Sequence, residues 1–368
     1  MKKFITHWTF AFVTLVVLTY TGLQESFVKE ILKLKSFDIL IQQEEVELSS
    51  DIGIVTIDEK SIEKYGQWPW KRDVLAQVIT DLRQSGAGVI MIPILFSEED
   101  RLGGDDILSQ TLIDNGVVIA QVGTSQINKN SVPRGVAKIG NPLPYLFEWD
   151  GMLGPIQKLG QNANGVGVIN TAPEIDGVVR RIPLIMRIGE DTYPTMAVEV
   201  IRVATGNPSY QVKAGDGGVQ AIRVPGFPII NTDPNARIWL HWNKTFETIS
   251  AAENNFSKFN GRTVIIGTTA EGLGGIIGTP VGEQYDYMLS ASTLQTMIDG
   301  KQINRYDVSS FLELVLSFVL GILVILISRF TPYWFVGVGM LSLYGMSVYG
   351  SYYLFNQNKT LTANNIIL

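Results

Sequence analysis

The stretch IGIVTIDEKSIEKYGQWPWKRDVLAQVITDLRQSGAGVI, residues 52–90, decides the fold class. It begins with a continuously apolar run and ends where a second such run begins, at residue 88. Between the runs, Val74, Val78 and Leu82 recur at the spacing of one helical face. Two parallel strands need a crossover connection, and that connection is usually a helix. The stretch therefore predicts a strand–helix–strand unit of an α/β fold.

Two further apolar runs, at residues 117–122 and 263–269, are typical of strands that are buried on both faces of a parallel sheet. Apolar residues alternate strictly over 182–188 and again over 238–242, which predicts antiparallel strands. Helices are predicted at 105–113, 196–204 and 294–298, the first of them capped by Asp105 or Asp106. The predicted fold class is therefore α/β, with a mostly parallel core sheet and antiparallel additions.

Three segments, at residues 4–23, 309–328 and 334–355, are apolar over about 20 residues each, which is the length that a helix needs to cross the hydrocarbon core of a bilayer. We therefore predict three α-helical transmembrane segments. Lysine and arginine flank these segments on both sides, so the positive charge that marks cytoplasmic loops leaves the orientation undecided. If the N-terminus is cytoplasmic, the large region between the first two segments is extracytoplasmic.

The domain organisation follows from these segments. We predict a transmembrane helix at 1–23, a linker helix at 24–45, an extracytoplasmic domain at 46–306, transmembrane helices at 309–328 and 334–355, and a tail at 356–368. The linker helix carries Phe27, Ile31 and Leu34 on one face. The tail ends on an apolar run, which predicts the start of a further span that is cut short.

The composition argues against several classes of function. A net charge of -6 without a basic stripe gives no sign of nucleic-acid binding. Cysteine is absent, which excludes disulfides, thiolate metal sites and a Cys–His catalytic pair. No G-x-S-x-G element is present, and His241 is the only histidine of the large region. We therefore predict no catalytic residue, no metal site and no cofactor.

Several motifs resemble the second class of CHASE domains. Beside residues 52–90, they are ILFSEED at 94–100, DGVVRRIPL at 176–184, YPTMAVEVIR at 193–202, IIGTTAEGLGG at 265–275 and SASTLQTMIDGKQINR at 290–305. The resemblance implies an extracellular sensory domain of the kind associated with cyclases and histidine kinases, with one span before it, three after it and a cytosolic enzymatic output. The sequence departs from the family pattern at Pro93, where an acid is usual, and at Ser290, where a histidine is usual.

Seven residues near the ends of predicted strands and the start of a predicted helix are candidates for ligand binding. In an open parallel sheet, these positions meet at a crevice that commonly binds small molecules. The candidates are Asp58, Glu59, Trp68, Trp70, Arg72, Asp73 and Glu98.

Structural roles for the same residues stay open. For Trp68 and Trp70, the favoured role is an aromatic plug over the end of the sheet, because large aromatic side chains mostly serve packing. Asp58 and Arg72 would equally form a buried ion pair that only holds the loop. Arg180 and Arg181, next to the Asp176 turn, are predicted to face water.

The predicted function is that of a sensor module in a multi-pass protein of the inner membrane. It binds an extracellular small molecule or protein, forms a homodimer in the lipid bilayer, and relays the signal to a cytosolic output outside this sequence; it does not bind nucleic acid and is not itself an enzyme. One alternative is a membrane-anchored scaffold or assembly protein. The other is an extracytoplasmic enzyme that uses Asp58, Glu59 or Glu98 as acid and base.

Overall fold

The computed structural model describes residues 8–23, 27–126, 128–300 and 307–358. The chain divides into two compact units. The first, which we call the helical unit, comprises residues 1–43 and 303–368, and the second, the sheet unit, comprises residues 44–302. The further span predicted to start in the tail lies outside the described residues beyond residue 358.

The sheet unit contains both helices and strands. In the described part of the helical unit, every element is a helix. The helices are α1 (Trp8–Leu23), α2 (Phe27–Gln42), α3 (Glu59–Tyr65), α4 (Arg72–Gln84), α5 (Asp105–Leu112), α6 (Gln157–Asn162), α7 (Met196–Ala204), α8 (Tyr287–Asp299), α9 (Asp307–Ser328) and α10 (Tyr333–Asn358). The strands are β1 (Glu47–Ile57), β2 (Ile90–Ile92), β3 (Val117–Thr124), β4 (Val136–Ile139), β5 (Phe147–Glu148), β6 (Gly151–Leu153), β7 (Gly165–Val168), β8 (Arg181–Pro183), β9 (Ile185–Ile188), β10 (Asp191–Pro194), β11 (Tyr210–Gly215), β12 (Gly218–Arg223), β13 (Ile230–Asn231), β14 (Arg237–Trp239), β15 (Lys244–Ser250), β16 (Thr263–Thr268), β17 (Ile276–Thr279) and β18 (Gly282–Tyr285).

Four strands of the main sheet in the sheet unit, β1, β2, β3 and β16, come from the four predicted apolar runs, and β15 was not predicted. The order of the sheet is β15-β1-β16-β2-β3, with every neighbouring pair parallel. Strand β7 adds to β3 in parallel, and β6 adds to it antiparallel. Smaller antiparallel pairs, such as β9 with β10 and β11 with β12, lie outside this sheet. The α/β prediction, with a parallel core and antiparallel additions, is confirmed.

Helix α4 packs on the main sheet through the face that its sequence predicts. Leu75, Val78, Ile79 and Leu82 are buried in one cluster with side chains from β1 and β2. Because an apolar stripe of this width must be covered, burial against the sheet fixes the rotation of the helix about its axis. The N-terminus of α4 consequently lies at the edge where the parallel strands end.

The stretch 182–188 differs from its predicted single alternating strand. It divides at Leu184 into β8, which pairs with β14, and β9, which pairs with β10. Residues 182–186 are all buried, and the backbone N–H of Leu184 donates to the carbonyl of Ala236 at 2.9 Å. The alternation therefore does not separate an inner from an outer face here. Likewise α5 begins after Gly104 as its N-cap, so the predicted caps Asp105 and Asp106 lie in its first turn.

Helix α7 carries a buried ion pair next to an unusually close approach of β7. Glu199 is fully buried, and it accepts hydrogen bonds from Nε and Nη2 of Arg202, each at 2.8 Å. Arg134 adds an Nη2–carboxylate distance of 3.4 Å. At Gly167 of β7, a Cβ atom would lie 2.5 Å from the Cα of Met196, at the start of α7.

A polar group that we call the base cluster ties together the two ends of the sheet unit. It comprises Glu47, Ser49, Lys244, Gln295 and Asp299. Lys244 pairs with Glu47 and, at 3.6 Å, with Asp299. Ser49 donates to Gln295 at 2.6 Å, and Gln295 donates to Asp299 at 2.7 Å. Strand β1 begins just after the chain enters this unit, and α8 ends just before the chain leaves the unit. Lys244 therefore joins the first and the last element of the sheet unit.

The helical unit contains the three predicted spans as helices. Among the described residues, none of the helices combines the length and the apolar character that crossing a bilayer requires. The prediction of three transmembrane helices is therefore not confirmed. Helix α2 forms at the predicted linker, but of the predicted face only Leu34 is buried, together with Phe37, Asp38, Leu40 and Ile41, and Phe27 is 71% exposed.

Candidate functional site

The loop before α4 is built around two tryptophans. The chain leaves α3 at Gly66 with φ of 90°, a conformation that favours glycine, and the Trp68–Pro69 peptide bond is cis. Trp70 donates from Nε1 to the carbonyl of Gly66 at 2.7 Å, and its ring meets that of Trp68 edge to face at 5.3 Å. Trp70 is buried in the core, as the plug alternative predicts, whereas Trp68 is only half-buried.

A second loop follows β2 and is held by the carboxylate of Asp100. This carboxylate accepts from the backbone N–H groups of Arg72 at 2.9 Å, Leu102 at 3.0 Å and Gly104 at 3.0 Å. Partial burial by itself raises the pKa of Asp100, but these hydrogen bonds and the charge of Arg72 outweigh it and leave the pKa below its usual value. Asp100 is therefore ionised at neutral pH, and it fastens the loop to the first residue of α4.

Arg72 occupies the space between the two loops. Its guanidinium forms an ion pair with Asp105, donates to the carbonyl of Glu98, and lies 5.2 Å from the ring centroid of Phe96. Burial lowers the pKa of Arg72, against the attraction of Asp100 and Glu99. The alternative in which Arg72 pairs with Asp58 is wrong, because the long loop after β2 supplies its partners instead.

These two loops enclose a cavity, which we call the edge cavity, at the carboxyl ends of β1 and β2. Its volume is about 660 Å³, within the range of about 300–1,000 Å³ that is common for small-molecule sites. Its apolar wall comes from Trp68, Trp70, Leu75, Ile94 and Phe96, and its polar lining includes Arg72, Glu98, Glu99 and Arg101. Such a lining suits an apolar ligand that carries a small number of charged or polar groups.

Four of the seven predicted ligand-binding residues line the edge cavity, namely Trp68, Trp70, Arg72 and Glu98. Asp73 does not line it; this residue pairs with Lys71 at 2.5 Å, and its Oδ1 is buried without a hydrogen-bond partner among the described residues. Glu59 does not line it either, and its carboxylate accepts from the backbone N–H of Glu271 at 2.7 Å. That bond holds the glycine-rich loop that follows β16.

The sequence reasoning did not identify Phe96, Leu75 and Asp100 as part of the site. Phe96 and Asp100 lie in the motif ILFSEED, which begins two residues after β2 ends. Because the carboxyl ends of parallel strands lie along one edge, the position of this motif was a usable signal for the whole loop. Leu75 carried no such signal, since it reads as an ordinary core residue of α4.

Asp58 is a helix cap and does not line the edge cavity. Its carboxylate accepts from the backbone N–H of Ser61 at 3.0 Å, from the Ser61 hydroxyl at 2.6 Å and from the Ser250 hydroxyl at 2.7 Å. Partial burial by itself raises the pKa of Asp58, but the hydrogen bonds from Ser61 and Ser250 outweigh it and leave the pKa below its usual value of 3.8. The role of Asp58 is to begin α3 at the end of β1.

Replacing Asp58 by alanine is expected to lower the free energy of unfolding at pH 7 by about 1 kcal/mol, the usual effect of losing an N-cap. Since the pKa is lower in the folded state, the stabilisation is present above the unfolded value of 3.8 and is lost as the pH falls through the folded value. Urea denaturation at several pH values measures the difference from wild type. A difference that does not shrink as the pH is lowered further and further below 3.8 would contradict this role.

Lys71→Ala is the control for the Asp58 variant. Lys71 is the N-cap of α4, but its side chain makes no capping hydrogen bond, and its ion pair with Asp73 is partly exposed. This substitution should change the free energy of unfolding by less than about 0.5 kcal/mol, because exposed ion pairs stabilise little.

Comparison with known proteins adds one finding. The family model described as the CHASE2 domain matches residues 10–328, which is most of the chain and includes both loops of the edge cavity. No curated protein and no solved structure shows significant similarity to the chain.

Proposed function

The chain belongs to the CHASE2 domain family, whose members are sensory domains, and from this premise we propose that its sheet unit binds an external signal in the edge cavity. The chain itself carries out no reaction in this proposal. The signal passes to a cytosolic output through the segments that enter and leave the sheet unit. The proposed setting is a homodimeric multi-pass protein of the inner membrane, with the sheet unit outside.

The edge cavity is the observation that carries this proposal. Two of its anchoring residues are used by the fold: Trp70 is packed in the core, and Asp100 is bonded to three backbone N–H groups. The cavity is therefore pre-formed, which spares a ligand the entropy of ordering the loops. Trp68 packs against Trp70 but stays half-buried, and the exposed carboxylate of Glu98 makes no hydrogen bond or ion pair within the described part of the chain, so the open part of the ring and this carboxylate are available for contact with a signal.

The base cluster offers a route for the relay. Strand β1 runs from Glu47, in the base cluster, to Ile57, at the edge of the sheet where the cavity lies. A ligand that binds one arrangement of the loops more tightly than another would favour one arrangement of β1 and α4. At the opposite end of β1, Lys244 joins that strand to α8. Both segments that leave the sheet unit would then respond together.

Membrane anchoring is proposed from the surface of the helical unit. Large apolar side chains remain exposed along α1, α9 and α10; Trp334 is 70% exposed and Leu341 is 72% exposed. Apolar patches of this extent on a soluble surface are unfavourable and usually mark an interaction surface. Lipid is the covering that the resemblance to membrane-bound receptors favours, and α2 would link this unit to the sheet unit.

Filling the edge cavity tests the proposed function. Ser97 lines the cavity and is half-buried, so Ser97→Trp should occupy the space without disturbing the core. The full chain is screened by thermal shift against a library of small organic metabolites that includes apolar compounds with cationic, neutral and anionic groups. We expect at least one compound to raise the melting temperature of the wild type and to have no effect on Ser97→Trp.

Ser50→Trp is the matched control, because Ser50 is exposed on β1 and does not line the cavity. It should respond to the same compounds as the wild type. Compounds that stabilise Ser97→Trp as much as the wild type, or a library without any stabilising compound, would argue against a small-molecule sensor and favour the scaffold alternative.

A further inference from the structure

We propose that the signal bound in the edge cavity is an organic cation with an apolar body, such as an aromatic amine or a quaternary ammonium compound. This inference rests on the proposed function and specifies the chemical class of its ligand. It follows from three features of the cavity: the charges that remain uncommitted, the aromatic ring that remains accessible, and the apolar wall.

The charged residues of the cavity fall into two groups. Arg72 and Asp100 are committed, since Arg72 pairs with Asp105 and Asp100 holds three backbone N–H groups. Glu98, Glu99 and Arg101 line the cavity, are exposed, and make no ion pair or side-chain hydrogen bond within the described part of the chain, although the charge of Glu99 also attracts Arg72. Two carboxylates against one guanidinium leave an excess of one negative charge for a ligand to neutralise.

The aromatic rings of the cavity are unequally available. Trp70 is buried in the core, and the ring of Phe96 already carries the guanidinium of Arg72 at 5.2 Å. Trp68 is half-buried and lines the cavity, so its ring is the one that a ligand can still contact. Tryptophan is the best ring for a cation, with the cation within about 6 Å of its centroid. Two carboxylates that line the same cavity as a half-buried tryptophan ring favour a cation over an anion.

The remaining wall favours an organic cation. Leu75 and Ile94 contribute apolar surface beside the tryptophans, and a volume of about 660 Å³ leaves room for a hydrocarbon body as well as a charged group. A hydrated inorganic ion would gain nothing from this wall, whereas a hydrocarbon body loses contact with water on entering.

Three compounds that share a phenyl group on a two-carbon chain test the charge preference. They are phenethylamine, a cation at pH 7; 2-phenylethanol, which is neutral; and 3-phenylpropanoate, an anion. Their affinities for the full chain are measured by isothermal titration calorimetry at low and high ionic strength. We expect the cation to bind at least about tenfold more tightly than the anion, and the preference to shrink at high salt.

Variants locate the preference in the cavity. The double variant Glu98→Gln with Glu99→Gln should reduce the preference for the cation to less than about threefold, because it removes the excess negative charge. Trp68→Leu keeps an apolar side chain but should weaken the cation by about fivefold relative to 2-phenylethanol. Glu190→Gln, in the exposed turn between β9 and β10, removes a charge elsewhere and should leave all three affinities unchanged.

The outcomes separate this inference from the proposed function. If the anion or the neutral compound binds as tightly as the cation, or if none of the three binds, the cation inference is wrong; a metabolite that stabilises the wild type but not Ser97→Trp would still support the sensor. If every compound binds Ser97→Trp as well as the wild type, the cavity is not the binding site and both proposals fail.

Discussion

Replacing Glu199 by alanine is expected to lower the free energy of unfolding of the sheet unit by about 3–5 kcal/mol, the effect of removing one partner of a buried ion pair. Glu199 is 0% exposed, and Arg202, its bidentate partner, is 6% exposed. Without the carboxylate, the guanidinium of Arg202 keeps its hydrogen bonds to the carbonyls of Asn164 and Asn207 but loses its only buried counter-charge among the described residues. A loss of this size is a large part of the total stability of a domain.

The control for this variant is another bidentate arginine–glutamate pair, which lies at the surface. Glu148 accepts from Nη1 and Nη2 of Arg187 at 2.8 Å and 2.6 Å, but half of the Glu148 side chain is exposed. Glu148→Ala should therefore cost no more than about 1 kcal/mol. Urea denaturation of the wild type and both variants measures the two losses. Equal losses would show that burial of the Glu199 pair does not determine its effect.

Replacing Gly167 by alanine is expected to destabilise the sheet unit by about 3 kcal/mol, the upper end of the usual effect of overpacking. The new Cβ atom would lie 2.5 Å from the Cα and 2.6 Å from the N of Met196. These are backbone atoms at the start of α7, so no side chain can turn aside to relieve the contact. The helix and β7 must separate, and the core between them loses packing.

Gly217→Ala is the control for the Gly167 variant. Gly217 has no atom within 4 Å of the position of a new Cβ, and its φ is outside the left-handed region. Its replacement should leave the melting temperature unchanged or slightly raised, since alanine restricts the unfolded chain. Thermal denaturation compares the three proteins. If Gly167→Ala melts within a degree or two of wild type, the close approach of β7 and α7 is not tight in solution.

Four strands of the main sheet, β1, β2, β3 and β16, could be predicted because each carries its own signal. A run such as 52–57 is apolar throughout, and burial on both faces is the only stable place for it. The buried face of α4 could likewise be predicted, from the helical spacing of its apolar residues. The division of residues 182–188 into two strands could not be predicted. It depends on the hydrogen bond from the backbone N–H of Leu184 to the carbonyl of Ala236, which lies 52 positions further along the chain.

The candidate site could be predicted only in part, because some of its contacts join residues that are far apart in the sequence. Trp68 and Arg72 could be predicted from their position before a predicted helix. The partners of Arg72, however, come from a loop about thirty residues away. Asp100 acts through hydrogen bonds from backbone N–H groups, and such a role leaves no periodic pattern in the sequence. Asp58 had a readable signal that was missed: Ser61 follows it by three residues, as in a capping box.

Arg180 and Arg181 illustrate a second limit. They were expected to face water, yet Arg180 is 0% exposed and donates to both carboxylate oxygens of Asp176 at 2.8 Å. Arg181 pairs in the same bidentate way with Glu174. An arginine side chain is rarely buried unless a carboxylate pairs with it. Here the turn at Asp176 brings the two carboxylates within reach, and the geometry of that turn could not be predicted from the sequence.

The base cluster also bears on how such a protein can be assembled in evolution. Because Lys244 holds Glu47 and Asp299 around one ammonium group, the sheet unit begins and ends at nearly the same point in space. Domains whose ends are adjacent are readily inserted into other chains or exchanged between them. The sheet unit therefore has the end-to-end geometry that favours insertion between two helices of another protein. The recipient chain would need only two attachment points that lie close together.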